Sequence, residues 1–416
     1  MRRLWVLLVC VGVLAACGSP AVLPRSAQTP PMGWNSWNSG VPLTERAIED
    51  VIDAMVSSGL RDAGYHYVNL DAGWAAPTRD ADGNLRADPD RFPHGIATVA
   101  AYAHDRSMYL GIYHSPFNQG CGQDPHIGGA GHEQADARSF AAWGVDYLKY
   151  DWCRLDAGHS EQVKYFAAMR DALRASGRRI VYSINPNSSG DPDAGSEYDW
   201  SRIADVSRDA MDLVPAWGDE RLGAEGLAGV SQAFAAAGPV AAYDGPMHVN
   251  DPDMLVVGIR WADFARTHPT MSLGPQRADL TDVEQRAHFS LWAMLAAPLL
   301  AGNDVRSMDE ATRDILTNRD VIAVDQDGLG LQGLPLLEDR RVIVKPLADG
   351  AVAVALFNSG DAPVDLHTDA HAIGLSGTDC YTVRDLWCHT ETGTNGPVGQ
   401  TVPAHGVAMM RVSRCR

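Results

Sequence analysis

The sequence predicts an α/β protein: a (β/α)8 TIM barrel followed by a small C-terminal antiparallel β-sandwich. Three observations carry this. Runs of strand-forming residues recur eight times at spacings of roughly 25–50 residues, which leaves room for a loop, a helix and a return. Two of these runs lead directly into an aspartate, at the strand end where a barrel displays its chemistry. After Gly330 the pattern changes to alternating apolar and polar residues punctuated by Gly, Asp and Asn.

The chain opens with a targeting segment. Arg2 and Arg3 precede an apolar stretch from Leu4 to Leu14, too short for a stable membrane span, so residues 1–17 read as a secretory signal. Its end, Leu14-Ala15-Ala16-Cys17, resembles a bacterial lipoprotein box, in which Cys17 is lipidated and becomes the first residue; the alternative is ordinary cleavage after a small residue. Residues 18–28, rich in Ser, Pro and Ala, form a tether. The expected location is outside the cell, or on its surface as a lipoprotein, with membrane contact only through a lipid on Cys17.

The barrel is assigned to residues 29–329. Its strands are expected near Met32–Asn35, Tyr67–Leu70, Tyr109–Tyr113, Tyr147–Tyr150, Ile180–Ser183, Asp205–Arg208, Met247–Asn250 and Pro298–Leu300. Between them, Thr44–Ser58, Glu133–Trp143 and Glu161–Ser176 place apolar residues three and four apart, the helical period. The sandwich is assigned to residues 330–416, with strands at Arg341–Pro346, Ala351–Asn358, Ala362–Leu366, Cys380–Trp387 and Val407–Val412.

Composition excludes some functions. A net charge of −18 argues against a nucleic-acid partner, because phosphate binding needs a basic face. No Cys-x-x-Cys and no His-Glu-x-x-His occurs, so zinc has little support, and no Gly-x-Ser-x-Gly elbow marks a serine hydrolase. Beyond the signal five cysteines remain: Cys121, Cys153, Cys380, Cys388 and Cys415. One of the last three must stay unpaired or bond elsewhere.

The chemistry gathers at strand ends. The fourth run continues Leu148-Lys149-Tyr150-Asp151-Trp152-Cys153, placing a charge pair where burial penalises charge by several kcal/mol. Tyr67-Val-Asn-Leu-Asp71-Ala-Gly-Trp74 repeats the formula, and Asn250-Asp-Pro-Asp253-Met254 sets two carboxylates around a proline. Trp34 and Trp37 either offer a flat face to a sugar ring or pack the barrel floor. Two carboxyl groups from different strands are what a glycosidase needs; in retaining enzymes they stand about 5–5.5 Å apart.

The stretches TPPMGWNSWN, YVNLDAGW, ADPDRFPHG, LGIY, GVDYLKYDWC, NDPDML, LWAMLAAPLL and VIAVDQDGLG, in this order from residue 29, resemble glycoside hydrolase family 27, the α-galactosidase/α-N-acetylgalactosaminidase group of clan D. The resemblance implies a retaining exo-acting α-glycosidase, an α-galactosidase first of all. It implies an oligosaccharide or glycoconjugate substrate, without metal or cofactor. It makes Asp151 the nucleophile and Asp212 the acid/base, since Asp212 follows Arg208 by four residues; Asp205, three after Arg202, is the competitor. Lys149 and Arg208 would hold ring hydroxyls and keep Asp151 ionised, while Asp212 would need a raised pKa to arrive protonated. Asp71 would hold the 4- or 6-hydroxyl, Trp34 the apolar ring face and Asp253 the far wall, with Tyr113 and Asn185 completing the pocket. Cys121–Cys153 would match a family disulfide beside the nucleophile.

The chain departs from the family at the sugar's rim. Two adjacent aspartates usually follow the second strand, whereas Asp71 is followed by Ala72, removing a charged hydrogen bond of about 1.5–3 kcal/mol and leaving room at C6. Ile184-Asn185-Pro186 replaces Cys-Glu-Trp or Cys-Ser-Trp after the fifth strand, Ser207 stands where Trp often precedes the Arg, and Tyr113-His114-Ser115 replaces Tyr-x-Asp. These changes keep other substrates open: a 6-substituted glucose as in isomaltose release, N-acetylgalactosamine, or glycan binding without cleavage.

Overall fold

The computed structural model describes residues 29–121, 127–152, 158–186, 198–218, 226–378 and 380–415. Eight parallel strands form one curled sheet: β1 (Met32–Asn35), β2 (Tyr67–Leu70), β3 (Tyr109–His114), β4 (Tyr147–Asp151), β5 (Val181–Asn185), β6 (Val206–Arg208), β7 (Val249–Asp251) and β8 (Leu299–Ala301). The spatial order is β7-β6-β5-β4-β3-β2-β1-β8. The cylinder is closed by a single residue: Leu255, four past β7, donates its N–H to Leu300 (2.8 Å) and accepts from Gly302 (3.0 Å).

Alternation along each strand sorts residues between the lumen and the helices. Tyr67, Tyr147, Val181, Val206 and Val249 pack together at the lumen's base, with Tyr109 against Tyr67 at 5.2 Å. Two residues further along, Asn69, Gly111, Lys149, Ser183, Arg208 and Asp251 replace hydrocarbon with polar groups. Gly111 is required here, because a Cβ would lie 2.0 Å from Asn69 Oδ1. A third step brings Asp71, Tyr113, Asp151 and Asn185 to the mouth. The outward set, Trp34, Val68, Leu110, Leu148 and Ile184, joins the core with Ile48, Val51, Ile52 and Met55 of the helix Glu45–Ser57.

The C-terminal part is a two-layer β-structure. A six-stranded sheet has the order β14-β13-β16-β11-β10-β9, comprising β9 (Leu334–Pro335), β10 (Val342–Pro346), β11 (Val352–Phe357), β13 (Tyr381–Asp385), β14 (Glu391–Thr394) and β16 (Val407–Arg414). A separate pair is formed by β12 (Val364–Asp369) and β15 (Pro397–Val402). Along β11, Val352, Val354 and Leu356 face the layer formed by Leu366, Val398 and Val402, while Ala353 and Ala355 face the barrel. Those small residues let the sheet approach the helix Asp282–Leu295, whose side chains from Ala287 to Leu295 are all buried. Lys345 Nζ crosses the junction to donate to the Ala293 carbonyl at 2.9 Å. Cys380 is bonded to Cys415, leaving Cys388 free and exposed.

Candidate active site

Two carboxylate–cation clusters meet at the mouth. The first belongs to β2 and β4. Lys149 Nζ stands 2.7 Å from Asp71 Oδ2 and 3.5 Å from Asp151 Oδ2, and Asn35 Nδ2 donates to the same Asp71 oxygen at 3.2 Å. The Asp71 N–H donates to Ser36 Oγ at 2.9 Å, tying the ends of β1 and β2 together. Lys149 Nζ lies 5.7 Å above the ring of Tyr113, whose hydroxyl accepts the Cys121 N–H at 2.9 Å. Asn185 is level with Asp151 across the β4–β5 ladder.

The second cluster is centred on Arg208 at the end of β6. Its guanidinium reaches Asp212 Oδ1 through Nη2 and Asp253 Oδ1 through Nη1, each at 3.1 Å. Asp253 Oδ2 accepts the Leu213 N–H at 2.7 Å, so the segment carrying Asp212 is pinned from behind. Asp253 has φ +87°, a left-handed backbone that costs a non-glycine residue about 1–3 kcal/mol. It is held there by its N–H to Asp251 Oδ1 (2.9 Å), the Met254 N–H to its own Oδ1 (2.7 Å) and Trp292 Nε1 to its carbonyl (2.8 Å). Beneath both clusters lies a cavity of about 20 Å³, lined by Asn35, Lys149, Ser183, Asn185, Arg208 and Asp251 together with Tyr147, Met254 and Leu300, roughly the space of one water.

Five carboxylates, Asp71, Asp151, Asp212, Asp251 and Asp253, face two cations, an excess of three negative charges when all are ionised. Burial raises Asp151 to about 7; Lys149 and Arg208 oppose the shift, while the charges of Asp71 and Asp212 add to it. The cations were expected to keep this carboxylate ionised, but loss of solvent and like charge outweigh them. Burial likewise raises Asp251 to about 6 and raises Asp253. Asp151 and Asp71 hold Lys149 protonated against burial, and Asp253 does the same for Arg208. The side chain of Asp151 is 8% exposed and that of Asp212 37%.

One expected contact is corrected. Trp34 is 0% exposed and points out of the lumen, because Asn35 points in and neighbours on a strand alternate. Its Nε1 donates to the Asn303 carbonyl at 2.8 Å, so it braces the wall instead of facing a sugar. Trp37, 39% exposed and edge-on to His268 at 5.4 Å, is the tryptophan of that motif that reaches the surface. Asp205 sits at the opposite end of β6, where Oδ2 accepts the Tyr182 N–H at 2.9 Å, which removes it from the mouth. Cys121 is disulfide-bonded, but Cys153 and Cys17 lie outside the described residues. Sequence reading missed Asn35 and Ser183, and gave Asp251 only as one of two carboxylates around a proline; the period of two, counted back from Asn185 and Asp253, carries the signal for Ser183 and Asp251. Among the described residues no cluster of three or more His, Cys, Asp or Glu has a metal-binding arrangement.

Residues 29–327 match the family described as alpha galactosidase A, and residues 338–412 match the alpha galactosidase C-terminal β-sandwich domain. The chain belongs to glycoside hydrolase family 27. Among its relatives, alpha-galactosidase A of Cellvibrio japonicus is 37% identical over 404 residues, covering 93% of this chain and 92% of the relative. An alpha-galactosidase of Cyamopsis tetragonoloba is 38% identical over 387 residues, covering 92% and 85%. The solved structure of alpha-galactosidase I from Mortierella vinacea superposes with a TM-score of 0.81 at 30% identity, covering 94% of this chain and 98% of that one. This family-27 chain is therefore a glycoside hydrolase, and its barrel and β-sandwich are those of the family.

Proposed function

We propose that the enzyme is a retaining exo-acting α-galactosidase. Asp151 attacks the anomeric carbon while Asp212 donates a proton to the departing glycosidic oxygen, so the C–O bond breaks as the glycosyl–Asp151 bond forms. Asp212 then takes a proton from water, the water oxygen bonds to the same carbon, and Asp151 leaves. The observation that carries this reading is the convergence on one mouth of a deeply buried carboxylate and a half-open one, close enough for the second to shift the titration of the first. The buried group suits a nucleophile shielded from water; the open one suits a group that must meet leaving group and water in turn. The excess negative charge favours the positively charged, oxocarbenium-like transition state.

Lys149, Asp71, Tyr113 and Asn185 are assigned to the ring hydroxyls, Arg208 and Asp253 to holding Asp212, and Trp37 to the apolar ring face. Residues 1–17 are read as a lipoprotein-type signal, removed up to Ala16 with Cys17 kept as the lipid acceptor, 18–28 as the tether, 29–329 as the catalytic barrel and 330–416 as the sandwich. Relatives bearing the name alpha-galactosidase, and a Saccharomyces cerevisiae enzyme solved with raffinose at a TM-score of 0.79, favour a terminal α-linked galactose as the sugar removed. A 6-substituted ring is the second reading, favoured by the methyl of Ala72 beside Asp71. Hydrolysis of p-nitrophenyl α-galactoside and of isomalto-oligosaccharides by residues 18–416 separates the two. NMR of the first product decides the mechanism: the α-anomer is expected, and an initial β-anomer would overturn the role of Asp151.

A further inference from the structure

Beside the barrel, where it meets the sandwich, lies a groove of about 780 Å³, within the range of roughly 300–1,000 Å³ usual for ligand sites. None of the carboxylates or cations at the mouth lines it. Its aromatic wall is assembled from three parts of the chain: Trp217, Phe234 of the helix Val230–Ala236 and Phe357 at the end of β11. The Phe234 and Phe357 rings meet edge-on at 5.6 Å, and His405 stacks on Trp217 at 5.0 Å.

Neutral polar groups complete the lining. Gln232 Oε1 is buried without a hydrogen-bond partner. Gln332 is 8% exposed; its Nε2 donates to the Ala237 carbonyl at 3.1 Å while its Oε1 has no partner. Ser231 and Ser359 add hydroxyls. The second guanidinium is already answered, since Arg341 is held by Asp339 at 2.6 Å, and His405 Nε2 lies 3.0 Å from Asp361 Oδ1. Arg340 remains on the rim.

This combination discriminates between ligands. An anionic chain needs unpaired cations, and only Arg340 is offered. An acyl chain or an apolar helix would leave the amides and hydroxyls without partners at a cost of about 1–3 kcal/mol each. A pyranose chain satisfies both sets, with C–H faces against the rings and hydroxyls toward amides, serines and guanidinium.

The groove is also joined to the catalytic loop. Ala228 N–H donates to the Asp212 carbonyl, Val214 to Ala228 and Val230 to Ala216, each at 2.9 Å. Ser231 N–H donates to the Trp217 carbonyl at 3.2 Å. Asp212 and the groove wall therefore lie on one braced ribbon.

We propose that this groove is a second saccharide site, binding a neutral oligosaccharide chain separately from the sugar held at the mouth; the choice of ligand class rests on the glycosidase reading. The test is native affinity electrophoresis of the full exported chain carrying Asp151→Asn, run through soluble galactomannan. Galactomannan is expected to retard the protein, excess free galactose to leave the retardation in place, and Ser231→Trp, which fills the groove, to weaken it by about fivefold or more. Arg340→Ala, an exposed change with no folding burden, is expected to weaken it less. Absence of retardation, its abolition by galactose, indifference to both variants, or equal retardation by alginate would each overturn the proposal. Turnover of p-nitrophenyl α-galactoside by the otherwise wild-type Arg340→Ala chain is expected to be unchanged. Failure of the unsubstituted enzyme to turn over that substrate would sink the functional reading and leave the binding result standing.

Discussion

Replacing Lys149 by Met removes the one cation that touches both Asp71 and Asp151 while keeping a side chain of similar length. At the observed 3.5 Å, two unit charges in a medium of effective dielectric about 20 interact by roughly 332/(20 × 3.5), or about 5 kcal/mol. That corresponds to about 3.5 pKa units at 1.36 kcal/mol per unit. Relaxation of the emptied site and entry of water screen part of this, so the acid limb governed by Asp151 should move upward by about 2 units. In the unmodified enzyme that limb is expected near pH 7, where burial places the Asp151 carboxyl. The nucleophile must be ionised, so activity rises with pH through its pKa. Lys149→Met should therefore lose about a hundredfold in kcat/KM on the acid side of neutrality and recover much of it at alkaline pH. The assay is the pH profile of kcat/KM on p-nitrophenyl α-galactoside, with circular dichroism to show that the variant folds. A uniform loss at every pH, with the acid limb unmoved, would mean that Lys149 only binds a hydroxyl and that the electrostatic argument is wrong.

Four further outcomes are expected. Asp151→Gly in the presence of azide should yield β-galactosyl azide and Asp212→Gly the α-anomer, as read by NMR; reversed products would exchange the two roles. Ala72→Asp should restore a charged contact at the 4,6 edge and raise preference for galactoside over 6-substituted glucoside by about tenfold or more in kcat/KM; no change would place Ala72 outside the pocket. Trp37→Ala should raise KM with little loss of melting temperature, whereas Trp34→Ala should cost about 3–5 kcal/mol of stability by chemical denaturation; the opposite pattern would contradict the assignment of faces. Burial lowers His288 to about 3, and its Nε2 accepts the Val256 N–H at 3.1 Å, which requires the neutral ring. The unfolded chain takes up this proton near pH 6.5 and the folded one does not, so the stability contributed is complete above pH 6.5 and lost progressively as pH falls toward 3. His288→Gln should flatten that slope in a pH series of urea midpoints.

Much of this molecule is legible in its sequence because the barrel strands are runs of apolar residues ending in charge. Tyr147–Asp151 and Tyr67–Leu70 announce themselves. What escaped has identifiable physical causes. The face presented by Trp34 depends on register with β2, where Gly33 meets Tyr67 and Asn35 meets Asn69, and composition does not carry register. The strands β14 and β15 escaped because Glu391-Thr-Gly-Thr and Pro397-Val-Gly-Gln-Thr-Val each carry an internal glycine and no regular apolar alternation, which reads as turn. The titration of Asp151 escaped because neighbouring charges can be read from a motif, while the depth of burial that outweighs them cannot.

The helix Asp282–Leu295 has no free side along its second half. Its Met294 carbonyl accepts the Gly333 N–H at 2.7 Å, its Ser290 hydroxyl accepts Trp387 Nε1 at 2.9 Å, and its Ala293 carbonyl accepts from Lys345. The catalytic cylinder is thus no detachable module. A gene cut after the eighth strand unit would leave one of its own helices wrapped on one flank only, with carbonyls and indole-sized hollows open to water. Chimeras that exchange the trailing sheets between members of this enzyme family should therefore carry this helix along with them.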